Sequence, residues 1–246
     1  MSDRAQPAPG PRVLVIIPAL NEQGNIGQVV AELTRAFPLA DRLVVNDGSS
    51  DGTSQLVRSI GGTAVIDLPF RLGVGGAVQC GFMFAAARGY DIAVQCDGDG
   101  QHIAAEIPAL LAPLLDGRAE VAIGSRFLGG GTGYSAPLMR RAGMLLFEAV
   151  NSLVIHQRIT DNTSGFRAYN RRAIEFLADH YPDDYPEPEA VILLGRNGFA
   201  MAEVPVHMRS RMAGRSTIAG IGAVYYMVKV MLTVLMNGIR ARIVKR

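Results

Sequence analysis

Residues 12–22 form the sequence R-V-L-V-I-I-P-A-L-N-E. The first seven residues are mostly β-branched and aliphatic without interruption, which is the pattern of a β-strand buried on both faces. Polar residues follow at once. Because strands covered on both faces belong to parallel sheets with helices on either side, this stretch predicts an α/β fold.

The same alternation of strand and helix continues to about residue 125. We predict strands over residues 12–18, 42–46, 64–68, 92–96 and 121–124, and helices over 25–37, 51–60, 73–88 and 104–115. This order implies a mainly parallel sheet with helices on both faces. Farther along, the apolar spacing predicts helices over 140–155, 171–179, 189–196 and 218–239, and a strand over 200–205.

Composition limits the class of protein. Of the 246 residues, 49% are hydrophobic and 19% are charged, which excludes a disordered chain. Cys80 and Cys96 are too few for a disulfide framework or a zinc site, so we expect two core residues in a reducing cytoplasmic compartment. The polar, Pro-rich residues 1–11 predict a disordered tail rather than a signal peptide. A nucleic-acid partner is not expected, since no binding motif is present.

Polar or glycine-rich segments follow all five of the first strands. The carboxyl ends of parallel strands meet at one edge of a sheet, and ligands of such folds bind there. We therefore expect a ligand site built from these segments, which begin at residues 18, 46, 71, 97 and 124.

The segment D-G-D-G-Q-H at 97–102 carries the strongest chemical signal. Asp97, Asp99 and Gln101 offer three oxygen ligands at alternate positions, which can converge on Mg²⁺ or Mn²⁺. The alternative is an Asp-Gly turn with solvated carboxylates. A calcium-binding EF-hand is excluded because its twelfth position is Pro108 instead of glutamate.

Two other segments suit a nucleotide. Asp47 follows the second strand, where a carboxylate can bind a ribose or a base, while Ser50 or Asp51 can cap the next helix. Glycines at 73, 75 and 76 permit a phosphate to approach a helix start. Their G-x-G-G spacing and their place after the third strand differ from a dinucleotide fingerprint.

Positive charge is unevenly distributed. Acidic residues predominate over residues 1–123 and arginines over 124–246, although the net charge is only +2. This asymmetry favours an anionic ligand for the second half. Arg126 and Arg167 stand among small polar loop residues, so they are stronger candidates than the other arginines, which suit a solvated surface equally well. For His102 a structural role and a role in the site both remain open.

The apolar stretch over 218–239 is long enough to cross a bilayer. However, Lys229, Thr233 and Asn237 recur every four residues and form a polar stripe, which favours a helix lying on a membrane or docking to a membrane protein. The basic residues after 239 suit anionic headgroups. A core helix is the alternative.

Seven motifs, in order, resemble glycosyltransferase family 2 with the GT-A fold, and within it the polyprenyl-phosphate sugar synthases of the dolichol-phosphate mannose synthase type. They are V-I-I-P-A-L-N-E (15–22), V-N-D-G-S-S-D-G-T (45–53), L-G-V-G-G-A (72–77), D-G-D-G-Q-H (97–102), G-S-R-F (124–127), D-N-T-S-G-F-R-A-Y (161–169) and E-V-P-V (203–206). The resemblance covers residues 12 to about 217, which we expect to be the catalytic domain, followed by a membrane- or partner-associating segment at 218–246.

The resemblance implies a role for each matching residue. The nucleotide-sugar site would comprise Pro18, Leu20, Asn21, Glu22, Asp47, Gly75, Asp97, Gly98, Asp99 and Arg211. The metal ligands would be Asp97, Asp99 and Gln101. Arg126, Arg140, Arg141 and Ser164 would bind the acceptor phosphate, and Asp99, Arg126 and Arg167 would be catalytic. The family often has a lysine a few residues after Arg211, and this chain has none there.

The resemblance thus implies an inverting, metal-dependent transfer of sugar from a UDP- or GDP-linked donor to a polyprenyl phosphate at the cytoplasmic membrane face. A homo-oligomer is plausible. Two alternatives stay open: transfer to a glycan or protein hydroxyl, for which Glu187 or Glu189 would be the base, and a non-catalytic subunit that binds sugar nucleotides.

Overall fold

The computed structural model describes residues 10–128, 155, 157–183 and 185–209. Its strands are β1 (Val13–Ala19), β2 (Asp41–Asn46), β3 (Ala64–Asp67), β4 (Ile92–Gln95), β5 (Val121–Ser125), β6 (Arg167–Asn170) and β7 (Met201–Pro205). Its helices are α1 (Ile26–Ala36), α2 (Thr53–Ile60), α3 (Gly73–Ala87), α4 (Ile107–Leu115), α5 (Arg171–His180) and α6 (Pro186–Arg196), with a 3₁₀ turn at Ala104–Glu106. The predicted α/β class is confirmed.

The strands form one sheet in the order β3-β2-β1-β4-β6-β5-β7. β1 pairs in parallel with β2 and β4, β2 pairs in parallel with β3, and β5 pairs in parallel with β7. β6 alone runs antiparallel, between β4 and β5. The sheet is therefore mainly parallel, as the strand–helix alternation predicts.

β1 explains why its sequence is apolar throughout. Leu14 and Ile16 pack into a core on the side of α3 and α5, whereas Val13, Val15 and Ile17 pack into a second core on the side of α1 and α4. Every residue of the strand is buried. The central strand is thus covered on both faces, and burial of its aliphatic side chains contributes to the stability of both layers.

β6 is a strand that the sequence pattern does not indicate, since its four residues are Arg-Ala-Tyr-Asn. Pairing with β4 and β5 on both sides makes it a strand; Ala168 faces Val94 on one side and Ala122 on the other. Because β6 runs against its neighbours, the residues just before it lie at the same edge as the carboxyl ends of β4 and β5.

Some predicted elements lie outside the described residues. They are nearly all of the tail at 1–11, the helix at 140–155 apart from Ile155, and the segment at 218–246. Within the described ranges, no helix combines the length and apolarity that crossing a bilayer demands.

Candidate active site

The segments that follow β1, β2, β4 and β5 meet at one edge of the sheet, together with the residues preceding β6. At the end of β1, Asn21 adopts a left-handed backbone conformation with φ of 56°. Its side-chain oxygen accepts a hydrogen bond from Ser50 N at 2.8 Å, and its own N–H donates to Ser49 Oγ at 2.9 Å. Asparagine tolerates this conformation better than most residues. The loops after β1 and β2 are therefore joined into one surface.

Other residues of the first loop are also fixed. The N–H of Glu22 donates to Thr53 Oγ1 at 2.9 Å, and its carboxylate accepts from Asn25 Nδ2 at 2.7 Å. Pro18 is buried within the sheet and Leu20 is half-buried at its edge. A nucleotide-binding role for these residues remains a prediction.

Asp47 is a buried carboxylate at the end of β2 that binds the start of α3. One oxygen accepts from Leu72 N at 2.6 Å and the other from Gly73 N at 2.9 Å. A negative charge is favourable at a helix N-terminus, where backbone N–H groups lack partners. The sequence suggested capping of α2 by its neighbours and did not foresee this contact. Asp47 therefore shapes the predicted nucleotide edge, whichever ligand binds there.

Gly75 has a packing role that the sequence did not predict. A Cβ at this position would lie 2.6 Å from the carbonyl oxygen of Pro182 and 2.8 Å from that of Asp183. The absence of a side chain lets α3 approach the backbone between α5 and α6. Gly75 is buried there, so packing alone accounts for a glycine at this position, without contact with a phosphate.

The Asp-Gly-Asp-Gly segment leaves β4 at the centre of the edge. Asp99 is buried, and its carboxylate accepts from Gln101 N at 3.0 Å. The side chain of Asp97 is 36% exposed. A Cβ at Gly165 would approach the Asp97 carboxylate oxygens to 3.0–3.1 Å. Gly98 likewise lies against the Pro18 carbonyl, at 3.2 Å from its would-be Cβ.

These residues fit a hard divalent cation in their chemistry. Asp97 and Asp99 supply carboxylate oxygens and Gln101 an amide oxygen, the ligand types that Mg²⁺ and Mn²⁺ prefer. Within the described ranges, no three His, Cys, Asp or Glu residues are grouped to hold a metal by themselves. Such an ion would therefore rely on ligands beyond the two carboxylates, as Mg²⁺ does when it binds substrate phosphates and water.

His102 supports the carboxylate segment from behind. Its Nδ1 accepts a hydrogen bond from Asp97 N at 3.0 Å, and its ring stacks on Phe166 with centroids 4.8 Å apart. Burial lowers the pKa of His102 to about 4, although the charge of Asp99 opposes the shift. The ring is therefore neutral at pH 7, in agreement with an unprotonated Nδ1 that accepts a hydrogen bond.

Arg126 follows β5 and is held by a buried carboxylate. Asp161 accepts from Arg126 Nε at 2.8 Å and Nη2 at 2.7 Å, and Thr163 Oγ1 accepts from Nη2 at 2.8 Å. The side chain of Arg126 is 30% exposed. Its fork geometry is thus fixed while part of the side chain faces solvent, an arrangement suited to a phosphate ligand.

A second layer fixes Asp161 in turn. The carboxylate of Glu203 on β7 accepts from Asp161 N at 2.8 Å and from Thr160 N at 2.9 Å. Thr160 Oγ1 donates to Glu203 and lies 3.2 Å from Ser125 Oγ. The sequence predicts no role for Asp161 or Glu203, because the contact of Asp161 with Arg126 and that of Glu203 with Asp161 form only when segments distant in sequence fold together.

Arg167 lies inside the protein, beneath the edge of the sheet. It is fully buried, and its Nε, Nη1 and Nη2 donate to the backbone carbonyls of Ser164, Glu187 and Asn162 at 2.7, 2.9 and 2.9 Å. Its guanidinium is thus bound by carbonyl groups of the protein itself, which favours a structural role, and the expected catalytic role stays a prediction. Arg167 joins the segment before β6 to the start of α6.

Ser164 is also buried, and its Oγ accepts from Phe166 N at 3.3 Å. That contact stabilises the turn before β6 and accounts for the hydroxyl without a ligand, and the expected contact with an acceptor phosphate stays a prediction. The remaining predicted phosphate ligands, Arg140 and Arg141, and the nucleotide ligand Arg211 lie outside the described residues.

The two candidate bases differ. The carboxylate of Glu189 accepts from Tyr185 N at 3.1 Å at the start of α6. Burial raises the pKa of Glu187; the charge of Arg167 opposes this shift and that of Asp97 adds to it. Glu187 is therefore electrostatically coupled to the site. Cys96 is a core residue as predicted, and burial raises the pKa of its thiol.

Comparison with known proteins agrees with this geometry. The sequence profile of glycosyl transferase family 2 matches residues 14–177. Polyprenol monophosphomannose synthase of Mycolicibacterium smegmatis is 34% identical over 226 residues, covering 89% of this chain and 85% of that protein. Undecaprenyl-phosphate mannosyltransferase of Micrococcus luteus is 31% identical over 242 residues, covering 94% of this chain and 99% of that protein.

Among solved structures, glucosyl-3-phosphoglycerate synthase of Mycobacterium tuberculosis, in complex with Mn²⁺, uridine-diphosphate-glucose and phosphoglyceric acid, superposes with a TM-score of 0.65. The two share 22% sequence identity, and the match covers 93% of this chain and 80% of that one. This likeness concerns the fold. Since the family profile spans most of the chain and relatives above 30% identity cover nearly all of it, the protein belongs to glycosyl transferase family 2 and is a glycosyltransferase.

Proposed function

We propose that this enzyme is an inverting, divalent-metal-dependent transferase that moves a sugar from a UDP- or GDP-linked donor to a polyprenyl phosphate. One observation carries the proposal: the Asp97 and Asp99 carboxylates and the fixed guanidinium of Arg126 occupy the same edge of the sheet. The names of the relatives from M. smegmatis and M. luteus support a polyprenol- or undecaprenyl-linked acceptor.

The donor side is formed by the loops after β1, β2 and β4. We assign the nucleotide to the surface around Asn21 and Asp47, and the diphosphate to the carboxylate segment. Mn²⁺ or Mg²⁺ held by Asp97, Asp99 and Gln101 would neutralise charge on the leaving diphosphate. The Mn²⁺ complex of the M. tuberculosis synthase supports a divalent ion but does not distinguish between the two metals.

The acceptor side is formed around Arg126. Asp161 orients its guanidinium and Thr163 adds a further contact. In this arrangement Arg126 would bind the acceptor phosphate and hold one of its oxygens toward the anomeric carbon, so that attack inverts the configuration there. Orientation of this kind lowers the barrier by removing the entropic cost of bringing two reactants together.

The acceptor determines whether a base is needed. A phosphate monoester loses its second proton with a pKa of about 6, so the attacking phosphate oxygen is already ionised at neutral pH. Arg126 then only has to position the nucleophile. Transfer to a hydroxyl would need a carboxylate to take a proton, and Glu187, whose raised pKa suits that task, makes this the second candidate function.

Membrane attachment belongs to the same proposal. Residues 12–217 would form the catalytic domain, and residues 218–246, which lie outside the described part, would associate with the cytoplasmic membrane surface or with a small membrane protein. Several copies would associate through the same segment, although the acceptor chemistry does not require it.

The experiment that tests the proposal measures nucleoside diphosphate release from a panel of UDP- and GDP-sugars, with Mn²⁺ or Mg²⁺, in the presence and absence of polyprenyl phosphate. We expect release from one donor that requires both the metal and the lipid phosphate. Release that is indifferent to lipid phosphate would instead favour the hydroxyl acceptor.

A further inference from the structure

Glu32 lies on α1, away from the strand ends that form the site, yet its carboxylate binds two segments beside the predicted metal ligands. One oxygen accepts from Arg209 Nη1 at 2.6 Å, and the other accepts from Arg209 Nη2 at 3.1 Å and from Ala104 N at 3.1 Å. The two side chains are 177 residues apart in sequence. Their pairing is bidentate, the strongest and most directional form of an arginine–carboxylate contact.

Arg209 in turn holds Gln101 by its backbone. The N–H of Arg209 donates to the carbonyl of Gln101 at 2.9 Å, and the side-chain Nε2 of Gln101 donates to the carbonyl of Arg209 at 3.2 Å. The residue after Gln101 and the residue before Arg209, His102 and Met208, form an antiparallel β-bridge. Since Nε2 is bound on one side, the direction in which the amide oxygen of Gln101 faces is fixed.

The carboxylate segment needs such support. It contains two glycines among four residues, and Gly100 has a positive φ of 78°. Glycine has more backbone freedom than other residues, so this segment is costly to order by itself. Contacts from Glu32 at Ala104 and from Arg209 at Gln101 restrain its far end, beyond the hydrogen bond that Asp99 accepts from Gln101 N.

We propose that Glu32 and Arg209 are positioning residues, which hold Gln101 and the end of the carboxylate segment in the geometry that binds a divalent metal with the donor diphosphate. The inference rests on the proposed function, because it assumes that this segment binds the metal. Neither side chain needs to touch the metal or the sugar. Removal of groups that orient metal ligands typically costs about 10- to 100-fold in metal affinity or activity.

The test compares Glu32→Gln with a matched control, Glu106→Gln. Glu106 also joins the two segments, through an ion pair with His207 at 2.9 Å, but it contacts neither Gln101 nor Ala104 in that pair. The full-length proteins are titrated by calorimetry with Mn²⁺ plus UDP and, separately, Mn²⁺ plus GDP. We expect E32Q to weaken binding of the preferred pair about tenfold and E106Q to leave it unchanged.

Amide hydrogen exchange supplies a readout that does not depend on activity. E32Q should speed exchange at Ala104 and Arg209, while amides of β1 and β2 keep their wild-type protection. In the transfer assay, the KM for the donor and the apparent metal requirement should rise more than kcat falls. A uniformly destabilised enzyme would instead lose protection throughout the sheet.

Arg209→Lys and Arg209→Met provide a second pair in case E32Q folds poorly. Lysine keeps the charge without the fork, so R209K should bind the metal–nucleotide pair between wild type and R209M. Wild-type affinity in E32Q or R209M, or an equal loss in E106Q, would overturn the inference. A wild-type protein that binds neither Mn²⁺–UDP nor Mn²⁺–GDP would contradict the proposed function itself, and the inference with it.

Discussion

The carboxylate of Asp161 binds the guanidinium of Arg126 by two hydrogen bonds, from Nε at 2.8 Å and from Nη2 at 2.7 Å. Asp161 is fully buried, whereas Arg126 is partly exposed. The pair therefore has one side that is fixed by the protein and one side that faces the edge where the donor and acceptor would meet. On this account, Asp161 determines where the positive charge of Arg126 lies.

Asp161→Asn tests that relationship. Asparagine can accept only through one oxygen, so Arg126 loses its bidentate partner and moves from its position. We expect kcat/KM for the polyprenyl phosphate to fall by about 100-fold, the loss that a misplacement of about 1 Å can cause, with a much smaller change in the donor KM. Steady-state kinetics with each substrate varied in turn measure both effects.

Thr163→Val is the milder comparison for this prediction, because it removes the contacts of Thr163 Oγ1 with Arg126 Nη2 and, at 3.3 Å, with Asp161 Oδ1, but leaves the two hydrogen bonds between Asp161 and Arg126 in place. Its acceptor kcat/KM should stay close to wild type. If D161N and T163V behave alike, or if D161N alters the donor KM alone, then Asp161 does not act through Arg126 on the acceptor.

Asp97→Asn and Asp99→Asn test the metal assignment. Each substitution removes a negative charge while nearly preserving side-chain shape. A bound metal contributes several kcal/mol of charge stabilisation, so turnover should fall at least about 100-fold, since each 1.4 kcal/mol is a factor of ten. Sugar transfer measured across a Mn²⁺ titration is the check, with Asp179→Asn on the exposed face of α5 as the control. Full, metal-dependent turnover in D99N would show that another residue binds the ion.

Asp47→Asn tests the carboxylate that binds the start of α3. The amide would keep one acceptor and would direct its NH₂ group at a backbone N–H, leaving a buried donor without a partner. We expect the free energy of unfolding to fall by about 1–3 kcal/mol, measured by urea denaturation. Asp116→Asn, which alters only an exposed ion pair with Arg118, should change it little. An unchanged midpoint in D47N would contradict the role of Asp47 in holding α3.

Glu187→Gln separates the two acceptor hypotheses. With lipid phosphate as the acceptor no base is needed, so the loss of turnover should stay far below the roughly 100-fold that removal of a general base costs. A loss of that size, together with disappearance of the acidic limb of the pH profile, where protonation of the base lowers activity, would favour a hydroxyl acceptor.

The same substitution predicts a change in stability with pH. Because burial raises the pKa of Glu187 above its ordinary value, the folded state binds the proton more tightly than the unfolded state. Stability is then highest below the unfolded pKa of about 4.3 and falls as the pH rises toward the folded pKa. Thermal unfolding from pH 4 to pH 8 should show a smaller decline in E187Q than in wild type; an equal decline would contradict the raised pKa.

Truncation after residue 217 tests membrane association. If residues 218–246 attach the enzyme to a membrane, the shortened chain should remain in the supernatant when membranes are sedimented, while the full chain sediments with them. Nucleoside diphosphate release by the supernatant that contains the truncated protein, measured in the same donor assay, verifies that this protein is still folded. Full sedimentation of the truncated chain would contradict this assignment.

The main framework can be predicted from the sequence because buried strands require runs of apolar residues. β1 is apolar at every position since it is covered on both faces, and the segments at its end and at the ends of β2 and β4 are polar since they leave the core. Periodicity and the end of each apolar run were sufficient to predict the five first strands and the edge at which the candidate site lies.

Contacts that depend on tertiary pairing produce no such pattern in the sequence. Arg167 stands in a polar motif for which the resemblance implies a catalytic residue, and the sequence gives no sign that pairing of β6 with both neighbours buries this side chain among carbonyl groups. The Glu32–Arg209 contact joins positions that are far apart in sequence, and neither flanking pattern distinguishes these residues from surface charges. The supporting groups of the site were therefore accessible only from the folded chain.

The most direct test of the central claim is transfer of labelled sugar by the wild-type enzyme to undecaprenyl phosphate, with the product extracted into organic solvent and identified by mass spectrometry. The account predicts a metal-dependent, lipid-linked monophosphate sugar whose anomeric configuration is opposite to that of the donor. Label that enters a glycan or protein and never the lipid fraction, under conditions where the donor is consumed, would contradict it.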